Sequence, residues 1–161
     1  MSADNQQERL DAKWIVGFVD GEGCFHVSIN RNEKMKLDWQ VLPEFRVVQH
    51  EKNQKVLYKL KEYFGFGHVV INHGDRKEFR VRKLDDLRKI VIFFNENKLR
   101  TTKSKDLNCF SKILDLMLKN EHLSLEGLLK IEKIISNMNR QIKRASRILR
   151  DYTPNTSSTK V

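Results

Sequence analysis

Hydrophobic and polar residues follow each other along this chain with two different periods, and the order of those periods predicts an α+β fold. Apolar residues recur every three or four positions in five segments, which is the spacing of an amphipathic helix. Four shorter segments alternate between apolar and polar residues, as half-buried strands do. The predicted helices are residues 11–22, 52–64, 84–95, 103–119 and 124–135. The predicted strands are residues 25–30, 40–49, 68–72 and 78–82.

The order helix-strand-strand-helix-strand-strand-helix predicts a four-stranded antiparallel sheet with helices on one face, followed by extra C-terminal helices. Alternation assigns one set of side chains to the covered face. These inward residues are Phe25, Val27, Ile29, Phe45, Val47, Val69, Ile71, Phe79 and Val81. Pro43 lies within the second strand, where a missing N–H favours an edge strand or a bulge.

The other face of the sheet is predicted to be open and to carry polar, basic and amide side chains. Arginine reads guanine and asparagine or glutamine reads adenine in the major groove, which also admits a two-stranded ribbon. The alternative interpretation is an ordinary solvated sheet face. The outward residues are His26, Ser28, Asn30, Asn32, Gln40, Glu44, Arg46, His68, Val70, Asn72, Glu78, Arg80 and Arg82.

The net charge of the chain indicates which classes of binding partner to expect. The 161 residues include 31 Lys and Arg against 21 Asp and Glu, a surplus of +10. Such an excess indicates a polyanion, which means DNA, RNA or an anionic membrane. Membrane binding is the weaker candidate, because no apolar run approaches the roughly 20 residues that a membrane span needs. Cys24 and Cys109 are too few and too far apart for a zinc site, so we expect reduced thiols in an intracellular protein.

The two ends of the chain differ in composition from the centre. Residues 1–10 are polar and acidic, which predicts a flexible arm and no targeting segment. Residues 11–150 are expected to form one domain, and residues 151–161 a disordered tail. A basic segment, residues 139–150, is expected to form a helix at the end of the domain that contacts phosphates without reading sequence. Its candidate contact residues are Arg140, Lys143, Arg144 and Arg147.

The first helix combines an apolar stripe with glycines and carboxylates. Gly17 and Gly21 are four residues apart and lie on one helix face, where a second backbone can approach closely. Asp20 and Glu22 lie at the helix C-terminus, where the macrodipole disfavours negative charge by roughly 0.3–1 kcal/mol each. A cation is therefore expected there, either Lys or Arg or a hard divalent metal. A buried helix with a glycine-rich C-cap is the alternative.

Residues Ile15–Gly23 resemble the nine-residue signature of the LAGLIDADG homing endonucleases, with both glycines and both acidic positions present. Leu99–Lys103 is similar to the family's Leu-Lys-Thr-Lys-Lys segment, and His122–Gly127 and Met138-Asn139 resemble its later helices. The resemblance implies an αββαββα core with a saddle-shaped sheet. The resemblance also implies a homodimer, because family members with a single motif pair through their signature helices at the two-fold axis. The residues expected in that contact are Trp14, Gly17, Phe18 and Gly21.

The resemblance also implies site residues. The expected catalytic residues are Glu22, Gln49, Lys103 and Lys105, the last as a rival to Lys103. Glu22 is expected to bind metal with the Gly21 carbonyl beside it, and Asp20 is the second choice of ligand. Gln49 is expected to order water near the scissile phosphate, and Lys103 to stabilise charge. The implied cofactor is Mg²⁺, with Mn²⁺ as a substitute and Ca²⁺ binding without supporting cleavage.

The function that the resemblance implies is site-specific cleavage of double-stranded DNA. A homodimer would bind a long pseudo-palindromic site and hydrolyse both strands, leaving short 3′ overhangs. An RNA-binding intron maturase and a cleavage-dead DNA-binding regulator remain as alternatives on the same scaffold. The expected compartment is an organelle, chloroplast or mitochondrion, or the prokaryotic cytoplasm.

Overall fold

The computed structural model describes residues 9–138 and 146–152, and it confirms the predicted α+β fold. Its strands are β1 (Gly23–Arg31), β2 (Trp39–His50), β3 (His68–His73) and β4 (Arg76–Val81). Its helices are α1 (Ala12–Glu22), α2 (Gln54–Phe64), α3 (Leu84–Glu96), α4 (Lys103–Leu118), α5 (Leu125–Ile135) and α6 (Arg147–Tyr152). No helix in these ranges has the length and apolar character needed to cross a bilayer.

Helix α1 begins and ends through specific local contacts. The Asp11 carboxylate accepts a hydrogen bond from the Trp14 N–H at 2.8 Å and so caps the first turn. At the other end the chain passes from Glu22 directly into β1. A Cβ on Gly23 would lie 2.6 Å from a methyl carbon of Val19, so only glycine fits this junction. The last carboxylate of the helix is therefore joined to the sheet without a loop.

The strand order β1-β2-β4-β3 makes β2 an interior strand. The prediction that Pro43 marks an edge strand or a bulge is wrong, because Pro43 pairs in regular register with Val27 of β1. Pairing between β2 and β4 begins only at Phe45. Pro43 thus lies where β2 has a neighbour on one side alone, and a residue without an N–H is tolerated there.

The core lies between the covered face of the sheet and the helices. Phe25 is the centre of its aromatic cluster, with ring centroids 5.2 Å from Phe45, 6.0 Å from Phe94 and 5.4 Å from Phe110. These four side chains come from β1, β2, α3 and α4 and are all fully buried or nearly so. The helices are thereby held on one face, and the opposite face stays open.

One inward assignment is wrong. Ile71 lies on the helix side of β3 but is 73% exposed. Its cross-strand partner Lys77 donates a hydrogen bond to Gln54, the first residue of α2. At this position along the sheet, α2 therefore contacts β4 but does not cover the edge strand β3. A register shift between Ile71 and His73 follows at the hairpin tip.

The C-terminal helix α6 packs against the edge strand β1. Ile148 is buried, and an Nη of Arg147 donates to the Ile29 carbonyl at 3.2 Å while its guanidinium lies over the Trp39 ring. Arg147 therefore anchors α6, a role that the expected phosphate contact did not anticipate. Helix α6 also runs two residues into the predicted tail. The other expected phosphate contacts, Arg140, Lys143 and Arg144, lie outside the described residues.

Candidate active site and nucleic-acid face

The C-terminus of α1 presents an exposed carboxylate. Gly21 and Glu22 are both exposed, and Glu22 makes no ion pair or hydrogen bond within residues 9–138 and 146–152. The final four carbonyls of a helix lack partners inside it, and the Gly21 carbonyl is one of these. A free carboxylate and a helix-end carbonyl are thus adjacent in the sequence and at the surface.

Lys103 supplies the cation that the helix dipole requires. Its Nζ donates to the carbonyl oxygens of Val19 at 2.9 Å and Asp20 at 3.1 Å, so the ammonium sits at the negative end of α1. Burial lowers the pKa of Lys103 below its ordinary value, although the nearby acidic groups of Asp20 and Glu22 oppose that shift. The sequence predicted a cation at this position but could not identify it.

Asp20 explains how Lys103 is placed. Its carboxylate accepts hydrogen bonds from the backbone N–H of Arg100 at 2.8 Å, and from both the N–H and the hydroxyl of Thr101. Burial raises the pKa of Asp20, but these hydrogen bonds outweigh burial and hold the pKa below its ordinary value. The carboxylate thus ties the segment before α4 to the end of α1. Both of its oxygens are engaged, which favours Glu22 over Asp20 as a metal ligand.

The remaining expected catalytic residues differ in their placement. Gln49 is half-buried and lies two residues beyond Val47, which pairs with Gly23 directly after Glu22. Gln49 therefore lies at the end of the sheet that is next to the C-terminus of α1. Lys105 is exposed in the first turn of α4, and no hydrogen bond joins its ammonium to α1 in the part of the chain described. This geometry favours Lys103 over Lys105.

Thr102 occupies the N-cap position of α4, but its side chain makes no capping hydrogen bond. The neighbouring Thr101 hydroxyl instead accepts from the Lys103 N–H at 3.3 Å while donating to Asp20. The cap of α4 and the tether to α1 thus share one hydroxyl group.

Few candidate metal ligands lie together in the described part of this chain. Among the described residues, no cluster of three or more His, Cys, Asp or Glu side chains is placed to hold a metal ion. Glu22 and the Gly21 carbonyl are hard oxygen donors, the kind that Mg²⁺ and Ca²⁺ prefer. They fit a divalent cation in chemistry, but two donors are fewer than such an ion takes.

An exposed apolar stripe runs along α1 toward Glu22. Trp14 is 43% exposed and stacks on Phe18 with a centroid distance of 4.8 Å. A Cβ added to Gly17 or Gly21 would meet no atom within 4 Å, so both positions open on free space. These four residues are spaced i, i+3, i+4 and i+7 and so share one helix face. The stripe is an apolar surface with room for a second helix.

The strand register places the expected DNA-reading side chains on one face of the sheet. Arg46 pairs with Cys24 on one side and with Arg80 on the other, and Arg80 pairs with His68. Asn32 lies beyond β1 in the connecting loop, where its amide donates to Gln40 at 2.8 Å. The register also places on this face residues that were not among the expected contacts, including Cys24, Leu42, Val48, His50 and Arg76.

Two acidic members of that face are buried. Glu44 is 8% and Glu78 is 4% exposed. Burial leaves them little surface for a base edge, so their expected role as contact residues is revised. Glu44 bonds Arg46 at 3.2 Å and Arg82 at 2.9 Å, and Glu78 bonds Arg80 at 3.2 Å. The amide of Asn72 also donates to Glu78, at 2.7 Å.

His26 lies beside this network, opposite Glu44 in the register. Burial lowers the pKa of His26, and the guanidinium of Arg46 lowers it further, while Glu44 acts in the opposite direction. The imidazole is therefore neutral at physiological pH. A neutral imidazole both donates and accepts hydrogen bonds, which suits contact with base edges.

Similar proteins include members of an endonuclease family. The family profile described as LAGLIDADG endonuclease matches residues 15–114 of this chain. Probable intron-encoded endonuclease 2 of Neurospora crassa is 37% identical over 133 residues, a match covering 81% of this chain and 29% of that protein. The chain thus spans less than a third of the length of this curated relative.

Two solved structures are also similar. The homing endonuclease I-TnaI is 48% identical, with a TM-score of 0.81, covering 89% of this chain and 97% of that chain. The homing endonuclease I-SmaMI bound to cleaved DNA is 32% identical, with a TM-score of 0.82, covering 89% of this chain and 48% of that chain. I-SmaMI has also been solved with an uncleaved DNA target in the presence of calcium ions.

Proposed function

Because this chain belongs to the LAGLIDADG endonuclease family, we propose that it is a site-specific homing endonuclease whose homodimer binds double-stranded DNA and hydrolyses both strands. The observation that carries the proposal is the exposed carboxylate of Glu22 at the end of an apolar, glycine-containing helix face, where it makes no hydrogen bond or ion pair with any described residue. We further propose that residues 11–150 act as one endonuclease domain, acting inside the cell on the gene that hosts its intron.

The exposed stripe on α1 supports the homodimer. The stripe of Trp14, Gly17, Phe18 and Gly21 is apolar and open, and it leads to Glu22, so pairing two stripes would bring two Glu22 side chains together. A two-fold dimer would recognise a pseudo-palindromic site and cut both strands, leaving short 3′ overhangs.

The metal ligands would be Glu22 and the Gly21 carbonyl of each copy. The shortage of donors in one chain supports this sharing, since a second copy would double the oxygen set. A bound Mg²⁺ would polarise the phosphate and lower the pKa of water, the usual contribution of metals to phosphodiester hydrolysis. We expect Mn²⁺ to substitute, and Ca²⁺ to support binding without cleavage.

The side chains around Glu22 then have separate tasks. Lys103 would hold a positive charge beside the phosphate, because Val19 and Asp20 carbonyls fix its ammonium at the end of α1. Gln49 would orient the attacking water with its amide, which both donates and accepts hydrogen bonds. Asp20 would position Lys103 through Arg100 and Thr101 rather than bind metal.

The test compares Glu22→Gln with wild type on DNA that carries the intronless insertion site of the host gene. Wild type with Mg²⁺ is expected to cut both strands. The variant should bind with unchanged affinity but cut at least about 10³-fold more slowly, since its amide is a poor metal ligand. Cleavage is measured on gels and binding by fluorescence anisotropy.

Glu62→Gln is the matched control, because Glu62 is an exposed carboxylate on α2 and the charge change is the same. It should cut at the wild-type rate. Wild-type protein that binds this DNA tightly but leaves it intact with Mg²⁺ or Mn²⁺ would be a regulator. Preference for the intron RNA over the DNA would instead identify a maturase.

A further inference from the structure

The two central strands of the sheet contain the same four-residue sequence, whose Glu and Arg lie on the open face. The sequence Glu-Phe-Arg-Val occurs at residues 44–47 in β2 and at residues 78–81 in β4. The register pairs Phe45 with Val81 and Arg46 with Arg80. The two segments are therefore antiparallel neighbours, related by a local two-fold axis between the two arginines.

This arrangement places two cations directly opposite each other. Like charges at opposed positions of antiparallel strands destabilise the sheet. Each arginine is compensated by the buried glutamate two residues before it on its own strand, at 3.2 Å in both cases. The second oxygen of each glutamate is used as well, by Arg82 for Glu44 and by Asn72 for Glu78.

The net charge of this network argues against a role in binding phosphate. Its three arginines, Arg46, Arg80 and Arg82, and two glutamates, Glu44 and Glu78, sum to only +1, in a chain whose net charge is +10. A surface selected for phosphate affinity gains nothing from two buried carboxylates that cancel its arginines. What the carboxylates do provide is a fixed guanidinium orientation, because each salt bridge holds one nitrogen and leaves the rest free.

The arginines remain available to a ligand. The side chains of Arg46 and Arg80 are 33% and 29% exposed, although their glutamates are buried. A guanidinium in a fixed plane matches the O6 and N7 acceptors of guanine in the major groove. Opposed residues on neighbouring strands lie about 5 Å apart at Cβ, so two such side chains can reach neighbouring base pairs.

We propose that Glu44 and Glu78 are positioning residues that fix Arg46 and Arg80 for guanine, so that each half of the target carries guanines at neighbouring base pairs under the sheet centre. This inference rests on the proposed function and makes it more specific, because it assigns bases to a defined part of the protein.

The test begins with a randomised double-stranded DNA pool, from which wild-type protein selects a consensus in EDTA. Each position of the consensus is then replaced singly, and affinities are measured for wild type, Glu44→Gln and Glu78→Gln. Each variant should lose about tenfold of its preference for guanine at one position, the two positions being neighbours. Other positions should be read as before, and the dependence of affinity on salt should be unchanged, because no phosphate contact is lost.

Glu62→Gln again serves as the control and should discriminate like wild type. A uniform loss of affinity across all positions, or an unchanged guanine preference, would overturn the inference while leaving the endonuclease proposal intact. Wild-type protein that selects no sequence would overturn both. If a Gln variant lacks a cooperative thermal transition, folded Arg46→Lys replaces it, since it keeps the charge but loses the planar fork. Retained guanine preference in that variant contradicts the inference.

Discussion

The carboxylates at the end of α1 and at the centre of the sheet differ in exposure and in hydrogen bonding. Glu22 is exposed and has no partner among the described residues, at a helix terminus that disfavours its charge. Glu44 and Glu78 are buried, and both oxygens of each are bonded. A carboxylate left open is suited to an incoming cation, whereas one that is fully bonded is suited to orienting its neighbours. This contrast agrees with the roles proposed for them, which are metal binding for Glu22 and the orientation of DNA-reading arginines for Glu44 and Glu78.

Apart from Glu22→Gln, replacing Lys103 should have the largest effect on cleavage. Lys103→Met removes the ammonium that faces the end of α1, and we expect cleavage to slow by about 10²–10⁴-fold. DNA affinity should change much less, because one cation of many is lost. Single-turnover cleavage with Mg²⁺ measures the rate. Lys105→Met is the matched control, and an equal loss in that variant would mean that the wrong lysine has been placed in the site.

Breaking the sheet network should give the largest loss of stability. Glu44→Ala leaves Arg46 and Arg82 without their shared partner, and we expect the free energy of unfolding to fall by about 2–3 kcal/mol. The estimate lies below that for a fully buried pair because both arginines are partly exposed. Urea denaturation followed by circular dichroism measures this. A loss below 0.5 kcal/mol, the size of an ordinary surface substitution, would show that the pairs contribute little.

Weakening the tether between α1 and α4 should have a smaller effect that depends on pH. Asp20→Asn removes a charged acceptor of three hydrogen bonds, and we expect a loss of about 1 kcal/mol near neutral pH. The pKa of Asp20 is lowered on folding, so its stabilisation is present above pH of about 4 and is lost as the pH falls through the folded value. The difference between variant and wild type should therefore shrink at low pH. A difference independent of pH would refute the charge argument.

The smallest effect should have the opposite sign. Glu22→Gln removes a negative charge from the C-terminus of α1, and we expect the free energy of unfolding to rise by about 0.3 kcal/mol, the low end of the dipole effect, because the attraction between Glu22 and Lys103 is lost as well. The same change at Glu44 should instead destabilise the fold, because a bonded charge is removed. Thermal melts of the two variants at low ionic strength compare these signs directly. Destabilisation by Glu22→Gln would indicate a structural partner for that carboxylate.

Much of the fold could be predicted because its signals are local. The alternation through Phe25, Val27 and Ile29 assigned the faces of β1, and the apolar spacing of α1 located its exposed stripe. Ile71 was misassigned because alternation gives the face of a strand but not whether a helix covers it. Pro43 was misread for a related reason, since the number of neighbours along a strand depends on the lengths of the other strands.

The site could be predicted in part. The motif identified Glu22 and Lys103 as candidates, but their relation depends on Asp20 bonding residues 80 positions away. No periodicity encodes such a contact. Glu44 and Glu78 were assigned to the correct face, yet alternation did not predict that both would be buried and bonded to the arginines two residues further along their strands. The face of the sheet on which a residue lies and the extent to which it is buried are separate properties, and the sequence pattern predicts only the face.

Helix α6 has a consequence for how subunits can meet. An outer strand with unpaired carbonyl and amide groups invites another chain to add to the sheet. Arg147 donates a hydrogen bond to the Ile29 carbonyl near one end of the outer strand β1, and Ile148 of the same short helix is buried. A backbone N–H of an added strand would have to compete with this guanidinium for the Ile29 carbonyl.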